Sequence, residues 1–288
     1  MSDMQGDNVR GKVCLVTGAS SGVGKVTATA LAKAGATVIG VARDSERARA
    51  ALEEIRRDSG NASVDFIYAD LSLQSGVREA AAAFLARHDR LHVLVNNAGA
   101  AFPKRELTAD GIERTFALNH MGYFLLTQLL LDTLRASAPA RVISVASVGH
   151  KMWRRSEFDA SLEHGYGEFK AYAQSKLANI LFTRELARRL EGSGVVANCL
   201  HPGGVNTNIW FANQSFFAKT VGRIGSLFMI SAEEGADTMV WLATAAEVGT
   251  VSGEYFYKRK ARRTTTFGSD MALAGRLWSL SESLVRPA

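Results

Sequence analysis

Short apolar, β-branched runs recur along the chain at residues 13–17, 37–42, 64–69, 91–96, 141–146, 195–200 and 250–257. Between most of them lie stretches of helical character, among them 23–34, 45–58 and 74–88. Strands separated by helices predict parallel βαβ units with right-handed crossovers, hence an α/β doubly wound parallel sheet of about seven strands. The runs are apolar throughout rather than alternating, as expected when helices cover both faces. No linker divides the 288 residues and only four are proline, so one domain over 1–288 is expected. The rhythm breaks once, at 203–231, where the chain turns glycine-, asparagine- and aromatic-rich around Trp210, Phe211, Phe216, Phe217 and Phe228. An insertion there, after the sixth strand, predicts a hydrophobic lid at the carboxyl edge of the sheet, the alternative being helix packing or a subunit contact.

Composition narrows the class further. With 47% hydrophobic and 22% charged residues, a disordered tail, a fibrous repeat and a disulfide-stapled miniprotein are excluded. The net charge of +6 invites a nucleic-acid reading. Five of the cations, however, sit together in Lys258-Arg259-Lys260-Ala261-Arg262-Arg263, at the head of a C-terminal extension over 258–288. Without that run the body is almost neutral. The run reads as a solvated loop after the last strand, with weak peripheral contact to anionic lipid as the alternative. No zinc-finger spacing, basic heptad helix or RNP-like aromatic motif is present, so nucleic acid is not an expected partner. The N-terminal residues are polar and carry two aspartates, unlike a secretory signal, and a cytoplasmic location is expected. Cys14 and Cys199 lie inside apolar runs without CxxC spacing and read as buried thiols. The histidines form no metal-ligand spacing, and no metal is expected.

After the first strand comes Thr17-Gly18-Ala19-Ser20-Ser21-Gly22-Val23-Gly24 and then a helix. Glycines at such a turn let backbone N–H groups approach a pyrophosphate, which the helix N-terminus also favours. The same residues spell G-x-S-x-G, with Ser20 as the nucleophile of a hydrolase elbow. Too little chain precedes them to supply the second oxyanion donor that elbow needs. At the end of the second strand, where an NAD site carries an acid, stand Ala42, Arg43 and Asp44. Arg43 suits a 2′-phosphate, with its planar, permanently charged fork. Asp44 could turn away, pair with Arg43 or serve NAD. NADP(H) is therefore the preferred cofactor and NAD(H) the alternative.

Three further signatures fall at successive strand ends: Asn96-Asn97-Ala98-Gly99, Ser144-Val145-Ala146-Ser147, and Tyr172-Ala173-Gln174-Ser175-Lys176 on a helix. An i,i+4 pair shares one helix face, and an ammonium near a phenol favours the phenolate. Tyr172 is thus a candidate general acid/base, with Ser147 available to a substrate carbonyl or hydroxyl.

With these motifs the sequence resembles the short-chain dehydrogenase/reductase family over roughly residues 10–260. The likeness rests on Thr17 to Gly24, Asp70-Leu71, Asn96 to Gly99, Asn119, Ser147, Tyr172 with Lys176, and Pro202-Gly203-Gly204-Val205-Asn206-Thr207. The segments at 119–124 and 147–150 and His201-Pro202-Gly203 look most like the retinol-dehydrogenase-like branch. The resemblance implies a Rossmann-type sheet of order 3-2-1-4-5-6-7 and an NADP(H)-dependent carbonyl reductase or alcohol dehydrogenase. It implies a proton exchanged at Tyr172, Lys176 binding the nicotinamide ribose and lowering the tyrosine, Ser147 positioning the substrate oxygen, and Asn119 holding a relay water. It places Gly18, Ser20, Ser21, Gly22, Val23, Gly24, Arg43, Asp70, Leu71, Asn97, Ala98, Gly99, Pro202, Gly203, Val205 and Thr207 along the cofactor. Ala146 stands where a serine is frequent.

The aromatic insertion predicts a bulky apolar substrate meeting Ser147, Tyr172, Trp210 and Phe211. A homodimer or homotetramer is compatible with this reading. Two rivals remain: a catalytically silent dinucleotide-binding scaffold, and a serine hydrolase using Ser20.

Overall fold

A computed structural model describes residues 7–204 and 230–285. Eight strands form one sheet in the order β3-β2-β1-β4-β5-β6-β7-β8. They are β1 (Val13–Thr17), β2 (Thr37–Ala42), β3 (Val64–Tyr68), β4 (Val93–Asn96), β5 (Ala140–Val145), β6 (Val195–Leu200), β7 (Tyr255–Tyr257) and β8 (Lys260–Ala261). All pairings among β1 to β7 are parallel, in the expected order. The strand order reverses at β1, which pairs with β2 on one side and β4 on the other. That switch point, at the carboxyl ends of the strands, is where an open α/β sheet forms its ligand crevice.

The helices in chain order are α1 (Gly22–Lys33), α2 (Glu46–Ser59), α3 (Gln74–Leu85), α4 (Arg114–Phe116), α5 (Gly122–Leu129), α6 (Leu131–Ala136), α7 (Glu168–Arg189), α8 (Ala232–Thr244) and α9 (Met271–Leu284). Two apolar cores result, one on each face. Leu31, Ile55, Met239 and Leu242 pack with Cys14 and Val16 beneath α1, α2 and α8. Phe84, Phe116, Phe124, Phe182 and Trp278 fill the other, beneath α3, α5, α7 and α9. In the second core Trp278 stacks on Phe182 at 5.9 Å and meets Phe124 edge-on at 5.0 Å. His120 Nε2, 2.9 Å from Ser281 Oγ, ties the last helix to the turn before α5. Cys14 and Cys199 are buried free thiols, each pushed up to about 12 by that burial.

The eighth strand corrects the sequence reading of the basic run. Lys258 and Arg259 adopt φ values of 51° and 56°, and β7 and β8 pair antiparallel on either side of them. Two consecutive positive-φ residues are the signature of a tight hairpin, so within the exposed run Lys260 and Ala261 form an edge strand, Lys258 and Arg259 its turn, and Arg262 and Arg263 follow as solvated chain. Arg259 Nε reaches Asp237 Oδ2 at 2.8 Å. Lysine and arginine on a short edge strand also discourage pairing with another chain. Among the described residues no helix is long and apolar enough to cross a membrane.

Candidate active site

The first strand delivers the chain into a turn that only small residues can form. Gly18 takes φ +70°, and a Cβ there would stand 3.0 Å from Ala98 Cα and from Asn97 Nδ2. A Cβ on Gly24 would collide with the Gly18 carbonyl oxygen and Asn97 Nδ2. Thr17 welds this turn to the loop after β4: its Oγ1 accepts from Asn97 N at 2.8 Å and Ala98 N at 2.9 Å. Asn97 Nδ2 donates back to Thr17 O at 2.8 Å. Ser21 caps α1 by backbone alone, without a side-chain bond to its first turn. The leading N–H groups of that helix therefore face the crevice as an anion cradle. Gly24→Ala is expected to cost about 1–3 kcal/mol through overpacking. It should also weaken cofactor binding, with urea denaturation and fluorescence titration with NADPH as the measurements.

A cavity of about 670 Å³ runs from this cradle along the strand ends. Gly18, Ser20, Ser21, Gly22, Val23, Gly24, Arg43, Asp70, Leu71, Asn97, Ala98, Gly99, Pro202 and Gly203 all line it, as do Ser147, Tyr172 and Lys176. At the end near β2 the wall also includes Arg47, which sequence reading missed. The available signal was its position four residues after Arg43, in the first turn of α2. Asp44 turns away, with both carboxylate oxygens on Arg49 Nη2 at 2.9 and 3.0 Å. Asp70 Oδ1 accepts from Ser72 N at 2.9 Å and Ser72 Oγ at 2.7 Å, which holds the loop after β3. Towards the far end the lining turns apolar with Phe102, Pro103, Leu118 and Val148. Arg114, its guanidinium 4.3 Å over the Phe102 ring, closes that side. Val205, Thr207, Trp210 and Phe211 lie outside the described residues, as does most of the expected lid.

Ser147, Tyr172 and Lys176 converge where the two ends meet. Ser147 leads a 3-10 turn, Val148–Met152, and its Oγ accepts from Gly149 N at 3.1 Å. The Ser147 hydroxyl in turn hydrogen-bonds the Tyr172 phenol. Burial raises Tyr172 above its ordinary value, and the hydrogen bond with Ser147 draws it down. The Lys176 ammonium donates to Val145 O at 2.9 Å and lies 5.6 Å from the centre of the Tyr172 ring. Burial pulls Lys176 itself down to about 7. His150 and His201 also flank this end. The first bonds Ser147 O through Nδ1 at 2.6 Å; the second stacks on Tyr257 at 5.0 Å and is pushed down to about 4 by burial and by His150.

Asn119 occupies a π-helical turn, Ala117–Met121, a local insertion often found at functional sites. Its Oδ1 accepts from Ala100 N at 2.9 Å, and its Nδ2 donates to Ala100 O at 2.9 Å and Ser175 Oγ at 3.0 Å. Both amide hydrogens are spent, so the side chain braces the loop after β4 against α7.

The chain that forms this cavity matches a known family. A family model described as short chain dehydrogenase matches residues 12–215. The chain belongs to the short-chain dehydrogenase/reductase family. It is similar to human retinol dehydrogenase 12, 42% identical over 275 residues, which cover 96% of this chain and 86% of that protein. Human retinol dehydrogenase 13 is 40% identical over 282 residues, 96% of this chain and 85% of the relative. Among solved structures, an uncharacterized Mycobacterium paratuberculosis protein aligns with a TM-score of 0.76 at 32% identity, covering 97% and 96% of the two chains. The RhlG/NADP complex from Pseudomonas aeruginosa aligns with a TM-score of 0.67 at 29% identity, covering 88% and 96%. As a short-chain dehydrogenase of the retinol-dehydrogenase-like kind, the protein is an NAD(P)-dependent oxidoreductase interconverting a carbonyl and an alcohol.

Proposed function

We propose that this dehydrogenase prefers NADP(H) and acts on a bulky, apolar ketone or aldehyde and its alcohol, a retinoid being the probe of choice. The observation that carries the reading is the lining of one cavity, with Arg43 and Arg47 at one end and Ser147, Tyr172 and Lys176 at the other. The glycine turn and the helix N-terminus suit a pyrophosphate: Gly24 packs too closely on Gly18 and Asn97 to carry a Cβ, and no side-chain cap from Ser21 takes up the leading N–H groups of α1. Two guanidinium groups beside the cradle suit a 2′-phosphate, and the competing carboxylate of Asp44 is engaged by Arg49. The apolar side of the cavity and the names of the relatives support the substrate class.

A nicotinamide dinucleotide held along the glycine turn and the arginine pair would supply or accept the hydride. Ser147 positions the substrate oxygen, and Tyr172 gives its phenolic proton to the developing alkoxide or removes it from the alcohol. Lys176 places positive charge beneath the tyrosine ring. Asn119 keeps the loop after β4 fixed against the helix that carries both.

NADPH and NADH absorbance, followed against all-trans-retinal and against glyceraldehyde, tests the proposal. NADPH with retinal should be the faster pair. Arg43→Leu and Arg47→Leu should each lower the NADPH-over-NADH preference about tenfold or more, the size of a lost charge-assisted hydrogen bond. A preference unchanged in the double variant, or turnover confined to the small polar aldehyde, would reject it.

A further inference from the structure

Lys176 carries a charge in a place that offers it few of the usual partners. It is 3% exposed, and its Nζ donates to one carbonyl, Val145 O on β5. From its own helix it faces Tyr172; from α5 it faces Tyr123, whose ring centre is 5.8 Å from Nζ. On a further side a Cβ placed on Gly99 would lie 3.5 Å from Nζ and 3.1 Å from the neutral Asn119 Oδ1. Among the described residues no carboxylate acts on this lysine, and burial is the influence on it. Two ring faces within about 6 Å of an ammonium are the arrangement in which the ring quadrupole attracts a cation.

Tyr123 has a second peculiarity. Its side chain is 1% exposed, and its hydroxyl is buried without a hydrogen-bond partner among the described residues. A buried, unpaired hydroxyl is a cost to folding and does no wiring. What the residue contributes at this site is its ring.

We propose that Tyr123 is a positioning residue: with Tyr172 it forms a two-walled aromatic clamp that holds the buried Lys176 ammonium charged and aimed into the active site. The proposal rests on Lys176 taking part in the oxidoreductase reaction, yet its test needs no turnover. The full chain, labelled with 13Cε-lysine, is titrated by NMR, and the Lys176 signal is assigned by its loss in Lys176→Arg. Tyr123→Phe keeps the wall and should leave the titration midpoint where it is. Tyr123→Leu removes it and should lower the midpoint by about half a unit to one unit. Mono-, tri- and pentafluorinated phenylalanine at position 123 keep the shape while draining the ring face. They should lower the midpoint stepwise and so serve if Tyr123→Leu fails to fold. The alkaline limb of NADPH-dependent retinal reduction should shift the same way.

A midpoint indifferent to fluorination overturns the clamp. So does a Tyr123→Phe shift as large as that of Tyr123→Leu, which would assign the effect to the hydroxyl. A chain that shows the graded midpoints but reduces no carbonyl refutes the proposed substrate reading and leaves the clamp standing.

Discussion

Tyr172→Phe is expected to lower kcat about a thousandfold, the middle of the range for a positioned general acid/base. NADPH affinity should stay within about twofold, because the ring that walls Lys176 remains and only the hydroxyl is lost. That hydroxyl ends a series in which Gly149 N–H donates to Ser147 Oγ and the Ser147 hydroxyl is hydrogen-bonded to the phenol. The series does two things. It orients the phenol towards a shared substrate oxygen, and it opposes the upward push of burial on Tyr172. Ser147→Ala should therefore act in a related but distinguishable way. With this lowering influence gone, the Tyr172 phenolate forms at still higher pH. Alcohol oxidation, which needs a proton acceptor, then moves its rising limb to the alkaline side. Rapid-mixing kinetics on retinol and retinal, with NADPH binding followed separately, check both variants. Turnover surviving in Tyr172→Phe would remove this residue from the chemistry altogether.

The sheet was legible because its strands are continuous apolar runs bounded by glycines and polar residues. β1, β2 and β6 begin and end where the pattern predicts. β8 was not, since a two-residue strand has no period to detect and its charged residues read as loop. The cavity-facing motifs were legible for a chemical reason: few residue types suit a phosphate cradle or a phenol–ammonium pair. What stayed hidden was the choice of partner. Nothing in Asp44 says that Arg49, five residues on along α2, captures it. Nor does the sequence show that Ala100 and Ser175 take up the side-chain amide of Asn119. Tyr123 sat in the same motif as Asn119, but its importance depends on α5 and α7 crossing close enough to bring its ring over Lys176. Such facts belong to tertiary packing, which spacing along the chain does not encode.

Lys176→Met should abolish turnover to a similar degree and yet make the protein more stable. The lysine is 3% exposed, and burial holds its amine down to about 7 against an ordinary value near 10.5. The folded chain therefore binds fewer protons than the unfolded chain between those two values, so this residue's contribution to stability rises with pH across that window. Below about pH 7 the amine is charged in both states and its desolvation opposes folding in full. Methionine fills nearly the same volume without the charge. Val145 O, which loses the lysine, keeps its bond from Asn179 Nδ2 at 3.1 Å and is not orphaned. Replacing a buried charge by a well-packed apolar side chain commonly stabilises by about 1–4 kcal/mol. Urea denaturation at pH 6 should show a gain of that order, shrinking by pH 9 as the parent's amine becomes neutral. A variant less stable than the parent at pH 6, or a gain that does not change with pH, would mean that Lys176 is better solvated than its surroundings indicate. The clamp of Tyr123 and Tyr172 would then have nothing to hold.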